Sequence, residues 1–216
     1  MAFYGGSFDP PHKGHLTIAR RLTEVFSLDE FVFIPAFHAP HKKDRKPTSA
    51  FHRFAMLALA TSDKPQIKIS KMELDAPEKP YTFETQTKLK RKLKDAEIFF
   101  VTGADSWQEI DTWREWERVL TLTNIIVVTR PGTEISFSHV TEKINKRIID
   151  TRKSRKPKIT IEKPQSKNQQ IFITNAVNLD VSSTEIRRKI RAKQNDWRRL
   201  VPAEVAKYVK KYELYI

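Results

Sequence analysis

The 216-residue chain contains no cysteine. That excludes a disulfide scaffold, thiolate metal sites and a nucleophilic cysteine, and it agrees with a reducing compartment. Long hydrophobic runs are missing as well. The longest apolar stretches, such as Asn124-Ile-Ile-Val-Val-Thr129, fall far short of the roughly 20 residues a membrane span needs. Met1-Ala2-Phe3-Tyr4-Gly5 lacks the basic start and apolar stretch of a secretory signal, so the expected location is the cytoplasm. Helix-turn-helix, zinc-finger and RNP-type strings are absent, as are internal repeats.

At 39% hydrophobic and 31% charged, with mean hydropathy −0.56, the chain reads as soluble and able to bury a sizeable core. Its net charge of +14 is unevenly placed. Residues 1–140 hold 20 Lys and Arg against 18 Asp and Glu; residues 141–216 hold 20 against 8. Three explanations remain open on composition: a nucleic-acid footprint, a surface that attracts small polyanions such as nucleotides, and a solvated basic face.

Through the first 130 residues, strand and helix patterns alternate. A very short strand ends at Phe3-Tyr4. Leu16, Ala19, Leu22 and Phe26 share one face of a predicted helix, and Phe31-Val-Phe-Ile-Pro35 is the continuous apolar run of a strand buried on both sides. Ser49 caps a helix over Phe51–Leu59. A period-two strand is expected from Ile67 to Leu74, a helix from Thr82 to Leu93, a strand over Glu97–Val101, helix through most of Trp107–Leu120 and a strand over Ile125–Val128. Such repeated units predict an α/β, Rossmann-like open parallel sheet with right-handed crossovers and helices on both faces. The rhythm is lost over 131–170, where Arg152–Pro157 reads as an exposed loop. A last strand is expected at Ile171–Ile173. Ser182-Ser-Thr-Glu185 opens a helix to Ala192 with Glu185 placed for a capping interaction, and Pro202 begins a final helix through Tyr212. The organisation expected is a single domain, 1–216, with a core over 1–181 and a C-terminal helical part over 182–216.

The first strand runs directly into Gly5-Gly6-Ser7-Phe8-Asp9-Pro10-Pro11-His12-Lys13-Gly14-His15. Ligands of open parallel sheets bind outside the carboxyl ends of strands, which is where this turn falls. Paired glycines let backbone approach a phosphate, and the following helix directs its positive N-terminus there. His12 and His15 can face one ligand if the turn is already helical. A glycine turn carrying two surface histidines is the plainer alternative.

The whole string resembles the signature of the nucleotidyltransferase superfamily with the His-x-Gly-His motif. Ser182-Ser-Thr-Glu-Ile-Arg187 resembles that superfamily's second signature. Within it, the chain is most similar to bacterial nicotinate-nucleotide adenylyltransferases. Further matches are Ile34-Pro-Ala-Phe-His-Ala-Pro-His-Lys42, Tyr81-Thr-Phe-Glu-Thr85, Gly103-Ala-Asp-Ser106 with Trp113, and Thr129-Arg-Pro-Gly132. Segment 133–170 matches no pattern. Val181 stands where isoleucine is usual, and Phe37-His38-Ala39 departs from more Pro- and Asn-rich versions.

The resemblance implies transfer of the adenylyl group of ATP to nicotinate mononucleotide, with Mg²⁺ bound through the phosphates and no metal ligands from the protein. It assigns catalytic roles to His12, His15 and Arg187. ATP would be held by Gly5, Gly6, Ser7, Phe8, His12, His15, Lys42, Gly103, Asp105, Ser183, Thr184 and Arg187. The nicotinate nucleotide would meet Tyr81, Thr82, Thr85, Trp113 and Arg130, with Trp113 stacked on the pyridine ring. Trp107, Trp113 and Trp116 fall within ten residues; on the residues alone Trp113 and Trp116, three apart, read as a core stripe, and Asp105 fits a helix cap. Two alternatives keep the chemistry and change the acceptor, to nicotinamide mononucleotide or to phosphopantetheine; the phosphopantetheine enzymes usually carry Thr at the position of His12. The alternative of another class is a basic nucleic-acid-binding module built on the C-terminal third. The partners expected are ATP and the mononucleotide and no membrane, and a homo-oligomer stays open.

Overall fold

The structure, a computed structural model, describes residues 1–37, 48–130, 132, 134–153, 169–177 and 179–216. Its elements follow the chain as β1 (Ala2–Gly6), α1 (Lys13–Val25), β2 (Phe31–Pro35), α2 (Ala50–Thr61), β3 (Ile67–Ile69), α3 (Thr82–Lys92), β4 (Phe99–Gly103), α4 (Ala104–Gln108), α5 (Trp116–Leu122), β5 (Asn124–Val128), α6 (Glu142–Asn145), β6 (Ile148–Asp150), β7 (Ile171–Thr174), α7 (Ser183–Arg191) and α8 (Ala203–Lys211). The strands form one parallel sheet in the order β3-β2-β1-β4-β5-β7-β6.

The apolar runs of the central strands are explained by burial on both faces. Val32 and Ile34 of β2, Phe3, Phe100, Ile125 and Val127 point into a core covered by α3, α4, α5 and α6. Ala2, Phe31, Phe33, Phe99, Val101 and Ile126 point into the opposite core, covered by α1 and α2. Alternation along each strand thus feeds two cores at once. A third cluster joins Met56 and Ala60 of α2 to Ile186, Trp197, Val201, Val205 and Val209. It fastens the C-terminal helices to the body of the sheet.

Five local expectations change. The first strand, expected to end at Tyr4, runs on through Gly5 and Gly6, which pair with Ile34 and Pro35. The strand expected over 67–74 ends at Ile69, and Met72-Glu73-Leu74 turns away from the sheet. The strand expected over 97–101 is displaced to Phe99–Gly103. The helix expected over 107–120 breaks into α4, a 3-10 turn at Ile110–Thr112 and α5, because Glu115 adopts φ 51 and restarts the chain as the cap of α5. Within 131–170 lie α6 and β6, which the sequence pattern did not reveal. Of the basic loop expected over 152–157, only Arg152 and Lys153 are among the described residues, and both lie in a turn.

Candidate active site

Strand order reverses between β1 and β4, so a crevice opens outside their carboxyl ends. Gly6 pairs with Pro35 and Gly103 with Val128, which brings the turn after β1, the start of α4 and Arg130 to one edge of the sheet. A Cβ on Gly6 would lie 2.9 Å from the Phe8 ring, so the turn is too tight for a side chain there. Phe8 itself holds φ 49. That left-handed conformation costs about 1–2 kcal/mol. Burying a phenylalanine ring contributes about 1.5–3 kcal/mol, enough to offset it. The ring is 2% exposed, edge-on to Tyr4, Phe33 and His15.

His12 occupies the cap position of α1 and is buried. Its ring stacks on that of His15 with centroids 3.6 Å apart. The backbone N–H of His12 donates to His15 Nδ1 at 3.2 Å, so a neutral His15 carries its proton on Nε2. A Cβ on Gly14 would lie 2.9 Å from His12 Nδ1. The glycine of the motif is therefore what lets the His12 ring lie in place. Burial, then the charge of Arg130, pushes the His12 pKa down to about 3. Burial, then His12, then Arg130, holds His15 well below the usual histidine range. Both rings are neutral at pH 7. An anion arriving here is met by N–H dipoles and by the helix N-terminus rather than by two imidazolium charges.

The second signature is tied directly to this turn. Ser182 Oγ accepts from Glu185 N at 3.2 Å and caps α7, whereas the Glu185 carboxylate turns outward to pair with Arg188 at 2.7 Å. Ser183 Oγ donates to the Pro10 carbonyl at 2.9 Å. Arg187 is buried, donating from Nη1 to the Asp9 carbonyl at 2.6 Å and from Nη2 to Thr184 Oγ1 at 3.2 Å, and its Nε is buried without a partner. His12, His15, Ser183, Thr184 and Arg187, 175 residues apart in chain order at the widest, lie on two helix starts joined through Asp9 and Pro10. Arg130 pairs with Asp105 at 3.2 Å while its charge reaches both histidines. Gly103, not Asp105, takes the cap position of α4, and Asp105 stands in the first turn.

The other expected residues gather at the start of α3. Tyr81, Thr82 and Trp113 line a cavity of about 670 Å³ together with Glu78, Lys79, Thr112 and Arg114. The Arg114 guanidinium lies 4.7 Å from the centroid of the Tyr81 ring. Glu84 Oε2 accepts from the Tyr81 N–H at 2.8 Å, fixing that helix start. Thr85 is buried and directs its hydroxyl to Glu73 Oε1 at 2.8 Å. Burial, opposed by that hydrogen bond, raises the Glu73 pKa to about 7. Trp107 is wholly buried, its Nε1 donating to the Ser136 carbonyl at 2.9 Å. Trp113 and Trp116 pack against the same core, and Trp113 does so while lining the cavity.

Lys42 lies outside the described residues. Sequence reasoning missed the side chain that holds the chain on either side of that segment. Arg53, with no exposure, donates to the carbonyls of Ser7 at 2.8 Å, Thr48 at 2.9 Å and Phe37 at 3.2 Å. The signal was present: Arg53 lies three, four and seven residues before Met56, Leu57 and Ala60, on the apolar face of α2. Glu73 was also missed, and nothing in its local pattern marks it.

The sequence matches the family described as cytidylyltransferase-like over residues 3–189. A probable nicotinate-nucleotide adenylyltransferase of Desulfatibacillum aliphaticivorans is 33% identical over 225 residues, covering 100% of this chain and 99% of that protein. Another probable nicotinate-nucleotide adenylyltransferase, of a Thermoanaerobacter species, is 34% identical over 216 residues, covering 100% and 93%. Among solved structures, the Plasmodium falciparum nicotinic acid mononucleotide adenylyltransferase complexed with NaAD superposes with a TM-score of 0.72 at 19% identity, covering 99% of this chain and 96% of that one. At that identity the likeness is one of fold.

Proposed function

The chain belongs to the cytidylyltransferase-like family, and from that premise we infer that it transfers the adenylyl group of ATP to nicotinate mononucleotide, giving deamido-NAD and pyrophosphate. One 5′-phosphate oxygen of the mononucleotide forms a bond to the α-phosphorus. The bond from that phosphorus to the bridging oxygen breaks, and its electron pair leaves with pyrophosphate. The attacking oxygen is already anionic at pH 7, so no general base is required. Catalysis is positioning plus relief of charge in an in-line transition state.

The observation that carries this reading is the joining of two helix starts around one phosphate-sized turn, through Ser183 to Pro10 and Arg187 to Asp9, beside the stacked His12–His15 pair. The backbone of Gly5, Gly6, Ser7 and Phe8 approaches the triphosphate. His15, with its proton on Nε2, contacts the α-phosphate, and His12 the neighbouring phosphate oxygens. Bound phosphate raises the pKa of both rings, so charge builds on them only when ligand is present. Ser183, Thr184 and Arg187 hold the β- and γ-phosphates, joined by Lys42, while Gly103 and Asp105 take the adenosine ribose. At the start of α3 the Thr82 backbone N–H meets the nicotinate carboxylate, with Tyr81 beside it in the cavity and Thr85 behind it, their own N–H groups held by Glu84 and by the Tyr81 carbonyl. Trp113 stacks on the pyridine ring, and Arg130 meets the mononucleotide phosphate.

Among the described residues no three His, Asp or Glu side chains stand close enough to hold a metal ion. In this reading Mg²⁺ comes with the nucleotide substrate, bound through the triphosphate oxygens. We read the chain as one nucleotidyltransferase domain working in the cytoplasm on soluble nucleotides. Among the described residues no helix is long and apolar enough to cross a membrane. The deciding experiment is pyrophosphate release from ATP with nicotinate mononucleotide, nicotinamide mononucleotide and phosphopantetheine, each alone. Release with the nicotinate form is expected; no release with any of the three removes this function.

A further inference from the structure

Past α8 the chain turns back through two left-handed residues, Glu213 at φ 49 and Tyr215 at φ 70. L-residues adopt that conformation only where surrounding contacts hold them. Here Leu214 N donates to the Val209 carbonyl at 3.0 Å, and Leu214 and Tyr215 pack on the cluster formed by α2, α7 and α8. The Tyr215 hydroxyl then donates to Asp9 Oδ1 at 2.7 Å, across 206 residues of sequence. Burial and the neighbouring carboxylate raise the phenol's pKa, so it remains a donor.

Asp9 is 6% exposed, a buried carboxylate three residues before His12. Its second oxygen accepts from Thr48 N at 3.2 Å, and its backbone carbonyl takes Arg187. Thr48 is also one of the three carbonyls held by Arg53. One small junction therefore fixes the turn after β1, the start of α2, Arg187 and the chain beyond α8. Two guanidinium groups flank this junction: the Arg53 charge acts on both Asp9 and Tyr215, and the Arg187 charge acts on Tyr215 while its Nη1 sits on the Asp9 backbone carbonyl. A buried carboxylate that loses one donor takes the nearest alternative. Arg53 is already committed to three carbonyls, whereas Arg187, bonded to the backbone of Asp9 itself, keeps a buried Nε without a partner and can turn to the carboxylate.

We propose that Tyr215 is a positioning residue for adenylyl transfer: its hydroxyl saturates Asp9 and so keeps the Asp9 carboxylate from drawing Arg187 away from the phosphate-binding surface. The idea rests on the turn Gly5–His15 and α7 being that surface. It assigns the chain beyond α8 a part in ATP use, although Tyr215 belongs to neither signature string.

The test is a double-mutant cycle read on both substrates. Tyr215→Phe keeps the ring and its packing and removes the hydroxyl, which donates to Asp9 and also meets the Thr48 side chain. It should lower kcat/KM for ATP about 10-fold, in the range of one charge-assisted hydrogen bond, and leave KM for nicotinate mononucleotide within about 2-fold. Asp9→Asn removes the buried anion and with it the pull on Arg187, so it should make Tyr215→Phe nearly silent in the double variant, with less than about 2-fold further loss. Assays are run well below each variant's Tm, so that loss of folded protein does not enter. The proposal is overturned by Tyr215→Phe at the wild-type kcat/KM for ATP, by a KM for the mononucleotide raised as much as that for ATP, or by additive effects in the double variant. A wild-type protein that releases no pyrophosphate would instead overturn the enzymatic reading, which keeps the two failures apart.

Discussion

His15 has its Nδ1 occupied by the His12 N–H, its ring stacked on His12 and its pKa depressed by burial, so one polar atom, Nε2–H, is left for a ligand. Replacing it by Ala removes that contact from the transition state. His15→Ala should lower kcat about 100-fold or more, a loss of about 3 kcal/mol, as for one oxyanion donor. Steady-state pyrophosphate release on a variant whose Tm is unchanged is the check, and a wild-type rate would remove His15 from the reaction. Glu73 makes a different prediction, on stability. Its pKa is raised from 4.5 to about 7, chiefly by burial. The folded state therefore favours the protonated form. The contribution is fully present below the unfolded value and is lost as pH rises through about 7. Over that window the unfolding free energy should fall by something on the order of 3 kcal/mol. Glu73→Gln keeps an oxygen for the Thr85 hydroxyl and cannot ionise, so its Tm should be flatter between pH 5 and 8 and higher than wild type at pH 8. Parallel pH profiles for the two proteins would mean that Glu73 is solvated.

At the scale of elements, α7 is where signature and geometry meet most directly. Arg187 uses both Nη atoms at once, one on Asp9 of the turn and one on Thr184 of its own helix. A lysine ammonium is a point charge and cannot span both partners in the same plane. Arg187→Lys should therefore raise KM for ATP and lower kcat, about 10-fold in kcat/KM, although the charge is kept. ATP kinetics at wild-type values in this variant would place Arg187 outside the reaction. The elements themselves were legible to unequal degrees. Runs such as Phe31–Pro35, buried on both faces, announce a central strand because burial dictates their composition. The helix expected over 107–120 failed because its apolar residues do keep a helical spacing while Glu115 breaks the backbone, a conformational choice that periodicity does not encode. Among the described residues strand β6 pairs only with β7, and its Ile149 is exposed, so its composition carries little signal. The helix starts of α1 and α7 were readable because tight turns demand glycine and caps demand serine, as Gly6, Gly14 and Ser182 show. Arg53, Glu73 and Tyr215 were not, since each acts through partners far away in sequence.

Charge distribution belongs to the whole molecule, and it bears on which mononucleotide is used. Nicotinate and nicotinamide mononucleotide share every group except the carboxylate of one and the amide of the other. The start of α3, beside the cavity of about 670 Å³, offers N–H groups that suit two oxygens. An amide places its own N–H₂ against one of those donors, which costs about 1–3 kcal/mol for the group left unsatisfied. The net charge of +14 adds to this, since a positive field favours the ligand with the extra negative charge. The nicotinate form should thus be preferred by at least about 10-fold in kcat/KM, since about 1.4 kcal/mol corresponds to one decade. Trp113→Ala should weaken both substrates by a similar factor, because stacking on a pyridine ring does not read its substituent. Raising ionic strength should narrow the preference, as the long-range field is screened, without abolishing it, as close backbone donors are screened little. Side-by-side kcat/KM measurements at low and physiological salt decide the matter. Equal use of the two mononucleotides would leave adenylyl transfer intact and remove the start of α3 as the group that reads the carboxylate.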